Sequence, residues 1–237
     1  MNVDNADRLA LVGLLTAIAM YVTAAFAAPT VTPSEVTPSE VTPVEARVAA
    51  SSVYVSRGGD SHGSGFVIKP GLVITAEHVV KDVDPDKLTV RLHSRDGDFE
   101  VPAKVVWTGG GAYDVALLEA DTRGVPALNV SCEKMYVGQR VLTYGAPKFL
   151  TDVTTYGHIA GFVVDKDVLA VERDAVVADL TISPGNSGGP VVDRTTGNVV
   201  GIANAVMLSA GGGFMPPIPS GHTFVLPSTA ICKMLAR

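Results

Sequence analysis

Pro184-Gly185-Asn186-Ser187-Gly188-Gly189-Pro190 is the stretch from which the rest of the chain can be read. A serine among glycines on a turn exposes its hydroxyl and leaves backbone N–H groups free to face a ligand. The glycines also let a substrate backbone come close, which a Cβ would block. Alone, such a run is equally an ordinary tight turn between two strands. Two stretches upstream change that reading: Ile74-Thr75-Ala76-Glu77-His78-Val79 and Tyr113-Asp114-Val115-Ala116-Leu117-Leu118. A histidine, an aspartate and a serine therefore occur in that order, each in a distinctive local sequence.

The chemistry of the three residues is complementary. A neutral serine hydroxyl is a poor nucleophile and needs a base within hydrogen-bond reach. Histidines stand at 62, 78, 93, 158 and 222, and only His78 directly follows an apolar strand, Val73 to Thr75. Its imidazole can take and return a proton near neutral pH. Asp114 precedes an apolar strand, where a carboxylate can be partly buried against that base, fixing its tautomer and stabilising the imidazolium. Asp98 and Asp121 lack such a following strand. Backbone N–H groups of Gly185 and Ser187 are the expected oxyanion hole. Asn186 lies between them and is expected to hold the loop's shape.

Together with Gly63-Ser64-Gly65-Phe66-Val67-Ile68, the order TAxHV, DVALL and GNSGGP resembles the trypsin-like serine proteases, and among them the bacterial HtrA/Deg type. The resemblance covers residues 50 to 232. It implies an all-β fold of two six-stranded antiparallel β-barrels, with the active site between them. It further implies His78, Asp114 and Ser187 as a catalytic triad and protein or peptide substrates. The specificity pocket in such proteases matches Thr181, Ile182 and Ser183, then Asn204, Ala205 and Val206. Thr181 stands where proteases cutting after Arg or Lys hold an aspartate, so small or medium aliphatic side chains are expected at P1. The Gly/Pro-rich stretch from Gly211 to Gly221 is either a border of this pocket or a plain surface loop. In secreted members a disulfide often joins the regions holding Cys132 and Cys232; two free thiols are the alternative. No PDZ domain is expected after the protease domain.

Composition agrees with this reading. The 237 residues suffice for one large domain or two small barrels. Charged residues are 18% and aromatic residues 6%, with 24 glycines, a mixture suited to a turn-rich β protein. A net charge of −6 gives no basic footprint for nucleic acid. Two cysteines are too few for a disulfide-framed miniature fold, and no Cys/His cluster has zinc spacing. No P-loop or dinucleotide fingerprint occurs, so neither metal nor cofactor is expected.

Before the protease-like region the chain has a different character. Leu9 to Ala28 is uncharged and long enough to span a bilayer as a hydrophobic helix. It reads either as an uncleaved anchor or as a signal segment cut after Ala27. Both place residues 46–237 outside the cytoplasm, in a periplasmic or extracellular setting. Residues 29–45 carry Val-Thr-Pro-Ser-Glu at 31–35 and 36–40 and, imperfectly, at 41–45, and are expected to form an extended, semi-rigid linker. Strands are expected at 52–56, 63–68, 72–75, 88–93, 99–107 and 115–119 for barrel one (46–120). After a crossing linker at 121–137, barrel two (138–227) takes strands at 140–145, 153–164, 168–172, 176–181, 190–193, 198–207 and 222–226. A short helix is expected within 228–237. The sequence thus reads as a membrane-tethered or exported serine endopeptidase. Rival readings are a viral polyprotein-processing protease and a catalytically silent peptide-binding module of the same fold.

Overall fold

The computed structural model describes residues 42–59, 61–93, 97–111, 113–147, 150, 152–163, 175–209 and 218–236. The apolar run Leu9 to Ala28, the expected strand at 168–172 and most of the Gly211 to Gly221 stretch lie outside them. Among the described residues no helix is long and apolar enough to cross a membrane.

The first described element corrects the sequence reading. Residues 43–45 are not extended linker but the start of helix α1, Pro43–Ser51. Pro43 takes the first helical position, where its missing N–H would be unbonded anyway. Thr42 caps the helix and Glu45 closes a capping box: the Thr42 N–H donates to Glu45 Oε2 at 2.9 Å, and the Glu45 N–H to Thr42 Oγ1 at 3.4 Å. The Thr-Pro-x-Glu spacing carried this signal, and the repeat pattern masked it. Val48 buries completely in the core, and Arg47 donates to the Gly197 carbonyl at 2.6 Å.

Twelve strands follow among the described residues. Barrel one contains β1 (Ser52–Ser56), β2 (His62–Lys69), β3 (Leu72–Thr75), β4 (Thr89–Leu92), β5 (Phe99–Thr108) and β6 (Ala116–Ala120). Helix α2, Glu77–Val80, follows β3. Barrel two contains β7 (Arg140–Gly145), β8 (Val153–Phe162), β9 (Val176–Asp179), β10 (Pro190–Asp193), β11 (Val199–Ser209) and β12 (Ile218–Pro227). Helix α3, Ser228–Leu235, ends the fold. The barrels close in the orders β1-β2-β3-β6-β5-β4 and β10-β11-β12-β9-β8-β7. Adding six to each strand number of the first reproduces the neighbours of the second, so one topology is used twice. Every ladder is antiparallel; between Val199 and Val130 there is also an isolated parallel bridge. Among the described residues, closure pairs every strand of each barrel on both sides, which removes the open edges that invite aggregation.

The cores follow from strand alternation. On β5, Val101 and Ala103 point inward while Glu100, Pro102 and Lys104 face solvent. Val55, Val73, Val90 and Leu118 fill barrel one. Val141, Ile159, Ala178 and Val225 fill barrel two. A third cluster mixes both halves: Phe66 and Ile74 from barrel one meet Leu142, Ile202 and Leu226 from barrel two, with Val48 of α1 and Ile231 of α3. Each such side chain is worth about 1.5–3 kcal/mol on full burial, so this seam fixes the two barrels against each other. Loops at their junction are therefore held on a rigid frame. Cys132, in the segment between barrels, is disulfide-bonded to Cys232 of α3.

Candidate active site

Strand register brings the first pair together. In the β3–β6 ladder Thr75 lies opposite Ala116. His78 is three residues beyond the end of β3, and Asp114 two residues before β6, so both emerge at the same rim. Among the described residues the Asp114 carboxylate makes two contacts with His78. Oδ1 accepts the His78 backbone N–H at 2.8 Å, and Oδ2 lies 2.5 Å from His78 Nδ1. The carboxylate is 18% exposed and the imidazole 48%. Asp114 thus holds the ring at Nδ1 while the outer part of the ring stays open to solvent.

Barrel two supplies Ser187 on the segment between β9 and β10. β9 ends at Asp179, earlier than the sequence indicates, which releases residues 180–189 from the ladder. Ser183 to Asn186 form a β-turn, with the Asn186 N–H donating to the Ser183 carbonyl at 3.0 Å. Pro184 occupies its second position and Gly185, at φ +106°, its third. Proline cannot take positive φ and the third residue does, so the turn is type II. Turn type sets the direction of the central peptide, which carries the Gly185 N–H. Among the described residues neither that N–H nor the Ser187 N–H has a hydrogen-bond acceptor. Gly188, at φ +88°, packs so tightly that a Cβ would lie 2.3 Å from the Ser64 carbonyl oxygen and 2.4 Å from Thr75 Oγ1. The Ser187 loop therefore abuts the end of β3, beside α2. Asn186, 1% exposed, is buried within it, its backbone carbonyl accepting the Gly189 N–H at 2.9 Å.

The Ser187 hydroxyl donates to the Asn204 carbonyl at 3.1 Å. A bulge in β11 presents that carbonyl: Ala203 faces Val225 and Ala205 faces Phe224, leaving Asn204 without an opposite residue. Two backbone bonds hold the loop to the same strand, Gly188 N–H to Ala203 O at 2.8 Å and Ala203 N–H to Gly189 O at 2.9 Å. Among the described residues the hydroxyl makes no hydrogen bond to His78. Such contacts are often long in an empty site and tighten only with substrate.

The residues named for specificity divide. Thr181 is exposed and its carbonyl accepts from Thr155 Oγ1 at 2.8 Å. Ser183 is exposed and closes the turn. Ile182 is buried in the barrel-two core, against which Val206 also packs. Ala205 is exposed and Asn204 half-buried. No carboxylate belongs to this set. Sequence reasoning missed Ser64, which is wholly buried and whose hydroxyl donates to the Gly185 carbonyl at 2.7 Å. The signal was present: glycines on both sides of a strand residue mark a close backbone approach. Among the described residues no group of three or more His, Cys, Asp or Glu is arranged to hold a metal.

Comparison with known proteins fits this geometry. The trypsin-like peptidase domain family matches residues 63–202. A probable periplasmic serine endoprotease DegP-like of Pseudomonas putida (strain W619) is 37% identical over 175 residues, covering 72% of this chain and 33% of the relative. A protein of the same description from Chlamydia pneumoniae is 32% identical over 168 residues, covering 70% and 32%. The chain thus spans about a third of the length of the curated relatives it matches. Among solved structures, an inactive-form serine-to-alanine mutant of Rv3671c from M. tuberculosis H37Rv superposes with a TM-score of 0.63 at 27% identity, covering 84% of this chain and 92% of that one. The Rv3671c protease in an inactive form gives 0.62 at the same identity. By its matched residues, its paired barrels and its relatives, this chain belongs to the trypsin-like peptidase domain family and is similar to DegP-like (HtrA-type) proteases.

Proposed function

We propose that this chain is a serine endopeptidase in which Ser187 is the nucleophile, His78 the general base and acid, and Asp114 the group that orients and stabilises the imidazolium. The observation that carries the reading is the double use of Asp114: one carboxylate binds both the His78 backbone N–H and Nδ1. Nδ1 is then protonated, and Nε2 carries the lone pair that takes the Ser187 proton. As Ser187 Oγ bonds to the scissile carbonyl carbon, the π electrons move to oxygen, and that anion is received by the N–H groups of Gly185 and Ser187. His78 then returns the proton to the leaving amine, and water repeats the sequence on the acyl-enzyme.

For this path the Ser187 hydroxyl turns from Asn204 O toward His78. A substrate strand paired with β11 at the bulge competes for that carbonyl and frees the hydroxyl. Without a counter-charge from Thr181, Ala205 or Val206, the reading assigns small or medium aliphatic P1 residues. A methylene more or less there changes discrimination by only about 1–3 kcal/mol, so selectivity is graded. An extracytoplasmic location is part of the same proposal. Relatives are described as periplasmic, and the disulfide at exposed Cys132 persists best in an oxidising compartment.

The Ser187–Asn204 hydrogen bond favours a second reading, a silent module that holds peptides without cutting them. The two are separated by labelling with a fluorophosphonate probe and by peptide turnover. The protease reading expects label on Ser187 and a loss in kcat on the order of 10⁶ in Ser187→Ala. Peptide binding with neither label nor turnover sinks it.

A further inference from the structure

We infer that Ser64 is a positioning residue for the oxyanion loop, a strut from barrel one that sets the two N–H groups contributed by barrel two. The inference rests on the endopeptidase reading above. Ser64 lies on β2 opposite Tyr54 and is fully buried. A hydroxyl with no access to water is destabilising unless satisfied, and here it is satisfied on both sides. It accepts the Ala146 N–H at 3.1 Å and donates to the Gly185 carbonyl at 2.7 Å, across 121 residues of sequence. The residue's backbone is engaged too: its N–H donates to the Ser187 carbonyl at 2.8 Å, and its carbonyl accepts from Thr75 Oγ1 at 2.7 Å.

Ser64 therefore holds the carbonyls of Gly185 and Ser187, the same two residues whose N–H groups have no acceptor among the described residues. The Ala146 N–H matters because it occupies an oxygen lone pair of Ser64 and leaves the single hydroxyl proton for Gly185. That proton recognises a carbonyl and not an N–H, so it fixes the outgoing peptide of the type II turn in one orientation. The Asn186 N–H of the same peptide donates to the Ser183 carbonyl at 3.0 Å. Ser64 thus holds the carbonyl end of a peptide whose other end is tied within the turn, at a glycine of positive φ with no side chain of its own to pack. Ser64 touches neither substrate nor the reacting atoms. Its effect passes through the geometry of the hole, where misplacement by about 1 Å is worth on the order of 10²-fold in rate.

The test uses the full chain and its Ser64→Ala variant, with rates expressed per site titrated by fluorophosphonate so that unfolded protein is not counted. The expected result is a fall in kcat of about 10- to 100-fold. KM should stay within about twofold, and the pH midpoint of kcat/KM should not move, because the His78–Asp114 pair is untouched. A peptidyl boronate, which mimics the tetrahedral anion, should bind more weakly in proportion to the fall in kcat/KM. Amide hydrogen exchange in residues 183–189 should accelerate. Should Ser64→Ala fail to fold, the isosteric Thr75→Val removes the donor to the Ser64 carbonyl and is expected to weaken boronate binding a few-fold. A kcat per site within twofold of wild type overturns the inference, as does a fall in kcat with unchanged boronate affinity. Failure of the endopeptidase reading looks different: wild type and Ser187→Ala would then be indistinguishable in turnover.

Discussion

Replacing Asp114 by Asn tests the proposed mechanism at one hydrogen atom. Among the described residues the carboxylate accepts from the His78 backbone N–H at 2.8 Å and from Nδ1 at 2.5 Å. An asparagine fits the same space but offers one acceptor and one donor. The backbone N–H is always a donor, so the amide oxygen turns to it and the NH₂ faces Nδ1. Nδ1 must then accept, the proton moves to Nε2, and the ring can no longer take the proton of Ser187. Retaining the working tautomer instead sets two donors face to face.

The magnitude follows. Loss of the correct tautomer in such a constellation lowers kcat on the order of 10⁴-fold, or about 5.4 kcal/mol at 1.36 per decade. KM should change little, because neither residue is assigned to the P1 site. The assay is steady-state hydrolysis of an aliphatic P1 peptide, with thermal unfolding as a control expected to shift by only a few degrees. Asp114→Asn retaining more than about a tenth of the wild-type kcat refutes the tautomer argument. An equal loss accompanied by unfolding refutes the premise that the pair is mainly catalytic.

Gly185→Ala places a side chain at φ +106°. The strain of about 1–2 kcal/mol is relieved by turning the central peptide to type I, which withdraws the Gly185-position N–H; kcat should fall about 10²–10³-fold, and unchanged boronate affinity would argue against it. Cys132→Ser with Cys232→Ser opens a loop closed across 100 residues, a loss of up to about 4–5 kcal/mol in the chain-entropy model. At roughly 2–4 °C per kcal/mol, a drop in Tm near 10 °C or more is expected, and a drop under about 3 °C counts against that origin of the stability. At Asp193 burial by itself raises the carboxyl pKa, but hydrogen bonds from the Gln139 side chain and from the Thr195 and Thr196 N–H groups together hold it below the usual carboxylate value. A depressed folded-state pKa stabilises above the unfolded value and loses that effect as pH falls through the folded value. The Tm gap between wild type and Asp193→Asn should therefore be widest at neutral pH and narrow below about pH 4; a gap independent of pH rules out the carboxylate as its source.

Much of this molecule is local chemistry and was legible in the chain. Period-two alternation located β1, because one of its faces must meet a core, and the rhythm of apolar runs between turns placed β5 and β7 within a residue of their observed bounds. The strings around His78, Asp114 and Ser187 named the candidate residues, since a nucleophile, a base and an orienting carboxylate each need a particular setting. The helix at Pro43–Ser51 was legible as well, in Thr42 and Glu45, and was overridden by the louder Thr-Pro repeat.

Other features exist only once strands have paired. That Asp114 reaches His78 follows from Thr75 lying opposite Ala116, a register that closure of barrel one imposes. Asn204 offers its carbonyl to Ser187 because β11 bulges there, and Ile182 enters the barrel-two core because β9 stops at Asp179. Ser64 meets Gly185 across 121 residues, where the barrels touch. Residue type and short spacing record what a side chain can do and which face of an element it occupies. Which carbonyl a hydroxyl reaches, and which way a peptide points, depend on contacts between segments far apart in the chain, and barrel closure and the mixed core between the barrels decide those.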